Sequence, residues 1–581
     1  TQEREFERRN YRKLQVLTTN PGLKFAHWLR PIYTAMTSHF KSLVLVLSLS
    51  TLFYSCSNQR ADLILHNGVI YTIDGNFTVA AAMAVRKGRI IETGTSEQIL
   101  SRFESDSMID LGGKAVFPGF IDAHSHFFGY ASDLLKCDLS GTYSFESILD
   151  SLKEFQAKSK FEWLLGRGWD QNDWVVKAFP DRKLLDSLFP YTPVFLVRID
   201  GHAALCNGEA LRRAGIEGTM KVEGGEVICK NGIPTGMLVD NAIELVRSKI
   251  PPIPDSLNQE AIVRAQSNCF AVGLTTVTDA GLGKDSIELL RKMQKDGRLK
   301  MKIYAMISQT PATMKYFFNR GPITSDNMTV RAIKVYADGA LGSRGACLKE
   351  PYSDQPDHKG FLLNSTKTLY EIADEAQEHG FQLCTHAIGD SANKLVIDIY
   401  ASHLNGKNDR RWRIEHCQVV SRKDMKRLGD YSIIPSVQPT HATSDMYWAA
   451  SRLGKERMKD AYAFGSLLKF SDRIALGTDF PVEKIDPLLT FYAAVVRKDL
   501  AGNPTAGFMP EEALKRKEAI RGMTIDAAFA NFEDNKKGSL EPGKAADFVI
   551  LDQDIMKVEE AILPKTKTLA TYIDGECVFK K

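Results

Sequence analysis

The sequence predicts an α/β chain: a (β/α)8 TIM barrel with an insertion after strand 1, plus a composite β-sandwich from the N- and C-terminal segments. Three observations predict it. Eight apolar strand candidates, at 115–121, 274–279, 302–307, 331–337, 381–385, 412–415, 432–437 and 473–478, alternate with helical stretches, and eight such units argue for a closed parallel barrel. Short strand-and-turn text occupies both ends of the chain. The gap between the first two candidates spans about 150 residues where a βα unit needs a few dozen, so roughly 130–270 must hold an insertion.

Taken in order, the chain opens on a leader with its own logic. Met36 is followed by His39 and Lys41, the apolar run Leu43 to Tyr54, and Ser55-Cys56. The run is short for a bilayer span but suits the apolar region of a secretory signal. A small residue before Cys resembles a bacterial lipoprotein signal, which is cleaved before a Cys that becomes lipidated. Segment 36–56 is therefore expected to be a signal that tethers an exported protein, through Cys56, to the periplasmic or cell-surface side of a membrane; an uncleaved anchor is the alternative. Residues 1–35 read as sequence upstream of a start at Met36. Eight of the 75 Lys/Arg and three of the 71 Asp/Glu fall in 1–55, leaving 67 against 68 in the remainder. No net charge attracts nucleic acid, and none is expected as a partner.

Segment 61–114 is strand-like, with Asn67-Gly68 and Lys87-Gly88 as hairpin turns. Segment 535–581 reads the same way, with Phe548 to Leu551 and a hairpin at Asp574-Gly575. Two small β segments with open edges are expected to pair with each other. The barrel occupies 115–534, and the helix expected at Ser365 to His379 before Gly380 is typical of its crossovers. The insertion holds its own strand, Val194 to Ile199, and three of the six tryptophans, Trp163, Trp169 and Trp174. The cysteines outside the leader are scattered without metal-type spacing and read as mostly buried free thiols.

Polar residues then fall at the strand ends. His124 and His126 follow strand 1, and residues i and i+2 of an extended chain point to one side, so both can grip one ion. Lys334 lies in strand 4, His386 ends strand 5, His416 ends strand 6 and Asp479 ends strand 8. In a barrel all the C-terminal strand ends meet on one face. Four His and one Asp there form a nitrogen and oxygen set suited to Zn²⁺ or a similar divalent ion.

These residues sit in motifs that resemble the amidohydrolase superfamily, and within it amidohydrolase family 3, the group that includes N-substituted formamide deformylases. The motifs are PGFIDAHSH (118–126), DGH (200–202), KVYADGALGSRGA (334–346), HAIGD (386–390), RIEHCQ (413–418), QPTHATSDM (438–446), GTDFPVE (477–483) and GSLEPGKAADFV (538–549). The resemblance implies a metal-dependent hydrolase that cleaves an amide or N-substituted formamide bond with a metal-activated water. It implies one or two divalent ions, held by His124, His126, His386, His416 and Asp479, with Lys334 carboxylated and bridging if there are two. Asp479 would also shuttle the proton, and His202 could polarise a substrate carbonyl. Asp338, Arg344, His441 and Trp169 are further candidates for contact with a small-molecule amide substrate; Arg344 has the fork that an anionic group needs. Hydrolysis of an ester, cyclic amide or N-acyl amino acid, deamination, and ligand binding without turnover stay open as alternatives. A homo-oligomer is compatible with all of them.

The leader yields a test of its own. Cys56→Ser is expected to release the protein from the membrane fraction or to block processing, read by fractionation and intact mass.

Overall fold

The computed structural model describes residues 59–157, 161–252 and 254–581. The leader, with Met36 and Cys56, lies outside the described residues.

Eight parallel strands pair in chain order: β1 Phe120–Ser125, β2 Leu274–Leu282, β3 Lys302–Ser308, β4 Met328–Tyr336, β5 Gln382–Ala387, β6 Arg413–His416, β7 Ile434–Val437 and β8 Ala475–Leu476. The barrel is nearly closed by side-chain and loop bonds rather than by a full ladder. The Asp479 N–H donates to the His124 carbonyl at 2.8 Å. Asp122 of β1 accepts from the Thr478 N–H at 3.0 Å and from the Thr478 hydroxyl at 2.7 Å. The helix expected before Gly380 spans Thr366–Glu378, and its Ser365 cap accepts the Thr368 N–H.

The first apolar run behaves differently from the expectation. It is two strands in two sheets: Ala115–Pro118 pairs antiparallel with Phe548–Leu551, and only Phe120–Ser125 enters the barrel. Gly119 makes the crossing. A Cβ there would sit 2.4 Å from Thr275 Oγ1, and its N–H donates to the Asp547 carbonyl at 2.8 Å. The crossing passes too close to β2 for any side chain.

Both ends of the described chain build one six-stranded sheet, in the order 576–580, 568–573, 548–551, 115–118, 69–71, 79–80. A four-stranded sheet (89–94, 82–86, 63–66, 108–110) comes from the N-terminal segment alone. Leu65, Met83, Val116, Phe548 and Ile550 share the core of these sheets. The C-terminal segment is also fastened to the barrel. The Lys302 ammonium of β3 is buried and donates to both oxygens of Asp547 at 2.8 Å and to Asp574 at 2.8 Å.

Between β1 and β2 lies a seven-stranded sheet, in the order 137–138, 164–169, 194–198, 203–206, 233–240, 225–230, 221–222. Successive side chains of a strand alternate in direction. Leu196 therefore packs with Trp169 and Leu205 on one face, while Phe195 and Val197 pack with Trp163 and Leu238 on the other.

Removing one partner of a buried ion pair strands the other charge, at a cost of about 3–5 kcal/mol. Lys302→Met should accordingly lower the urea midpoint well beyond the effect of a surface lysine such as Lys367→Met, measured by far-UV circular dichroism.

Candidate active site

The C-terminal ends of the barrel strands and the inserted strands 164–169, 194–198 and 233–240 line a cavity of about 850 Å³. His126, Lys334, His386, His416 and Asp479 line it from the barrel, and Asp170, Arg198, Asp200, His202 and Asp240 line it from the insertion. His441, Ser444, Trp448 and Glu483 close the side near β7 and β8.

At the floor, the ligand-type atoms of His124, His416 and Asp479 all lie within 4.8 Å of one another. His386 stacks edge-on beside His416, with ring centroids 4.5 Å apart, and His126 lies 5.5 Å from His124. Three of the four rings are aimed by an acceptor behind them. The His124 Nδ1–H donates to Glu415 at 2.5 Å, the His416 Nδ1–H to Gln438 Oε1 at 2.8 Å and the His126 Nδ1–H to the Ala280 carbonyl at 3.2 Å. An imidazole that donates from Nδ1 keeps its Nε2 lone pair for an ion. Burial holds His124 neutral, with its pKa pushed down to about 4, and Lys334 nearby acts in the same direction. Burial also carries His386 and His416 well below the usual histidine range.

Two buried atoms show what these residues suit. Among the described residues, His386 Nε2 has no hydrogen-bond partner, and neither has Asp479 Oδ1. Asp479 Oδ1 lies 3.1 Å from His126 Nε2 and 3.6 Å from His124 Nε2. Buried polar atoms are rarely left unpaired. Neutral imidazole nitrogens and a carboxylate oxygen converging in that way fit a divalent ion of the Zn²⁺ type. His416 and Asp479 are held there at φ values of 73° and 62°, in the left-handed region that non-glycine residues adopt only under constraint.

Lys334 lies against this set, its Nζ 3.0 Å from His124 Nε2. Burial lowers its pKa to about 8, opposed by the charges of Glu415 and Asp479. Glu415 is itself fully buried, and burial favours its neutral form. Arg413, whose Nε donates to it at 2.7 Å, and His124 overcome that and keep it ionised.

The other residues named from the sequence divide between the cavity and the scaffold. His202 lines the cavity, its Nδ1 donating to Asp240 at 2.6 Å. Burial disfavours the charged imidazole, but Asp240 and the nearby Asp200 and Asp338 outweigh it and raise the pKa. His441 also lines the cavity, its Nε2 3.2 Å from Asp479 Oδ2 and its Nδ1 3.2 Å from Glu483. Asp338 does not reach the cavity as a substrate contact. Its oxygens accept the N–H groups of Cys347, Ile388 and Gly389 at 2.8–2.9 Å, which ties the loop after β4 to the loop after β5. Arg344 is turned away and forks onto Asp354 at 3.2 and 3.0 Å. Trp169 is fully buried in the inserted sheet, its indole N–H donating to the Leu196 carbonyl at 3.0 Å.

Glu415, Gln438, Asp240 and Glu483 went unnoticed in the sequence. Glu415 had a signal: it precedes His416 and shares a strand face with Arg413, which marks a buried ion pair. Asp240 had none, because its link to His202 spans 38 residues and exists only through antiparallel pairing.

A family model described as "Amidohydrolase family" matches residues 107–579. The chain is 34% identical to the Arabidopsis thaliana protein LONG AFTER FAR-RED 3, covering 89% of this chain and 92% of that one. It is 27% identical to an N-substituted formamide deformylase of Arthrobacter pascens, covering 89% and 98%. A crystal structure of an uncharacterized metal-dependent hydrolase from Pyrococcus horikoshii superposes with a TM-score of 0.71 at 28% identity, covering 86% of this chain and 99% of that one.

Groups that aim a metal-binding histidine are worth about 10–100-fold in metal affinity. Glu415→Gln is expected to weaken Zn²⁺ binding by that factor in chelator competition, with the thermal midpoint measured in parallel to register the loss of the Arg413 partner.

Proposed function

The chain belongs to the amidohydrolase family, and on that premise we propose that it hydrolyses a carbon–nitrogen bond, in an amide or an N-substituted formamide. The observation that carries this reading is the environment of Asp479. One of its oxygens makes no hydrogen bond among the described residues and lies 3.1 Å from His126 Nε2 and 3.6 Å from His124 Nε2, and the other meets His441. That is the arrangement of a carboxylate that can take a proton on one side of the reaction and release it on the other. A ligand-binding protein has no use for such a group. The formamide deformylase of Arthrobacter pascens supports the choice of bond, and the cavity volume suits a substituent on nitrogen.

A divalent ion held by His124, His416 and Asp479, with His126 and His386 beside them, would supply Lewis acidity toward the carbonyl and toward water. Lys334 carboxylated by CO₂ would add two oxygens and extend the set to a second ion. The protein's own groups do the rest. Asp479 accepts the proton that the attacking water gives up and delivers it to the leaving nitrogen, which departs as an amine only when protonated. His441, backed by Glu483, keeps the Asp479 carboxylate turned toward the substrate. His202, from the opposite lobe, hydrogen-bonds the carbonyl oxygen as charge develops on it. The proposed location is the outer side of a bacterial membrane, tethered through Cys56.

Amides, N-substituted formamides and esters assayed with Zn²⁺ and with chelator test the reading, the expected outcome being chelator-sensitive release of amine. Loss of a general acid–base group costs about 10²–10⁴-fold in rate. Asp479→Asn should lose that much in kcat while KM changes little, with metal content measured beside the kinetics. A metal-loaded variant turning over at the parent rate would assign the proton to another group.

A further inference from the structure

The insertion brings a second His–carboxylate pair to the cavity, and its construction is unusually rigid. His202 immediately precedes the strand 203–206, and Asp240 ends the antiparallel strand 233–240 beside it. They are tied twice: the Asp240 N–H donates to the His202 carbonyl at 3.0 Å, and the His202 Nδ1–H donates to Asp240 Oδ1 at 2.6 Å. Asp240 holds a left-handed backbone, with φ 49°. Its other oxygen, Oδ2, is buried without a hydrogen-bond partner among the described residues. That oxygen is wedged against the loop after β4, where a Cβ on Gly339 or Gly345 would come within 3.0 or 2.8 Å of it. Two glycines of the barrel thus make the space that an acid from the insertion fills.

A carboxylate seated so firmly leaves the imidazole a single orientation. Nδ1 is committed to Asp240, and Nε2 is the nitrogen left for the cavity. The His202 ring lies 5.5 Å from that of His386, and both line the cavity with Lys334 and Asp479. We propose that Asp240 is a positioning residue for the reaction: it fixes His202 so that Nε2 donates to the substrate's carbonyl oxygen, and the insertion thereby completes the barrel's catalytic site. The inference rests on the hydrolase reading above. When water adds to the carbonyl carbon, the π electron pair moves onto oxygen, and the oxyanion is held by the His202 Nε2–H. When the C–N bond breaks, its pair leaves on nitrogen with the proton from Asp479, and the oxyanion pair re-forms C=O. His202 ends with the hydrogen it began with, and the Asp240 carboxylate is the counter-ion for a ring bearing hydrogen on both nitrogens.

The test is a double-mutant cycle on the metal-loaded full chain with Asp240→Asn, His202→Gln and both together. N-phenylacetamide and its trifluoroacetyl counterpart serve as probes, alongside the best substrate of the amide, formamide and ester panel. Loss of one oxyanion donor costs about 10²–10³-fold in kcat. Asp240→Asn should lose that much with little change in KM, unchanged Zn²⁺ content and a thermal midpoint that, though lowered by the loss of a buried charge partner, stays well above the assay temperature. The double variant should be no worse than the poorer single one, because the two residues act as a unit. The loss should shrink for the trifluoroacetyl substrate, whose oxyanion needs less help. Full activity of Asp240→Asn, additive losses in the cycle, equal losses on both acyl groups, or losses that follow metal or stability would each overturn the assignment. Absence of turnover by the parent on every compound would overturn the hydrolase reading, and this inference with it.

Discussion

The site depends on one buried carboxylate. Glu415 is fully enclosed in the barrel, with Arg413 on one oxygen and His124 on the other. A buried charge is tolerable only when it is fully paired, and the pairing here has structural consequences. Arg413 donates onward to the Ala123 carbonyl, Asn531 and Ser436, so one guanidinium knits β1, β6 and β7 to the segment that follows the barrel. His124 is left with its proton on Nδ1 and its lone pair inward. The barrel closes over this ion pair, and the same pair decides that the histidine can act as a ligand.

The strand-end chemistry was legible because a parallel barrel converts sequence order into spatial convergence. A polar residue that terminates an apolar run has only one face on which to appear, so the sequence alone gathers the histidines and Asp479 on that face. Residues in loops and in the insertion obey no such rule. Arg344 is spent on Asp354, ten residues onward in the same excursion, which local spacing does not reveal. Trp169 precedes a cavity-lining Asp170 and yet packs into the inserted sheet with Leu164, because a bulge at Gly168, with φ 110°, shifts the pairing and breaks the alternation of the strand. Asp338 has the composition of a ligand, but three backbone N–H groups claim it first. The division at Gly119 was hidden for a related reason: an apolar run shows that a segment is buried without showing in which sheet.

The insertion alters the meaning of the barrel. A (β/α)8 scaffold alone offers a floor of ligands open to water. Here Arg198, gripped by Asp170 and Asp200 at 2.5 Å each, stiffens a wall opposite Asp479, and His202 and Asp240 stand beside it. The cavity is lined from two separate sheets, the barrel and the insertion, so its shape can vary through the inserted sheet while the floor stays constant.

The six-stranded sheet sets a schedule for the chain's birth. Val116 pairs with Ile550, so one strand must wait for another made 434 residues later. At a synthesis rate of about 5–20 residues per second, that wait is roughly 20–90 s. Throughout it, 115–118 can already pair with 69–71, and Phe117 can already stack on Tyr71, but the edge that faces 548–551 lacks its partner. Such an edge is open to pairing with other chains until its partner strand is made.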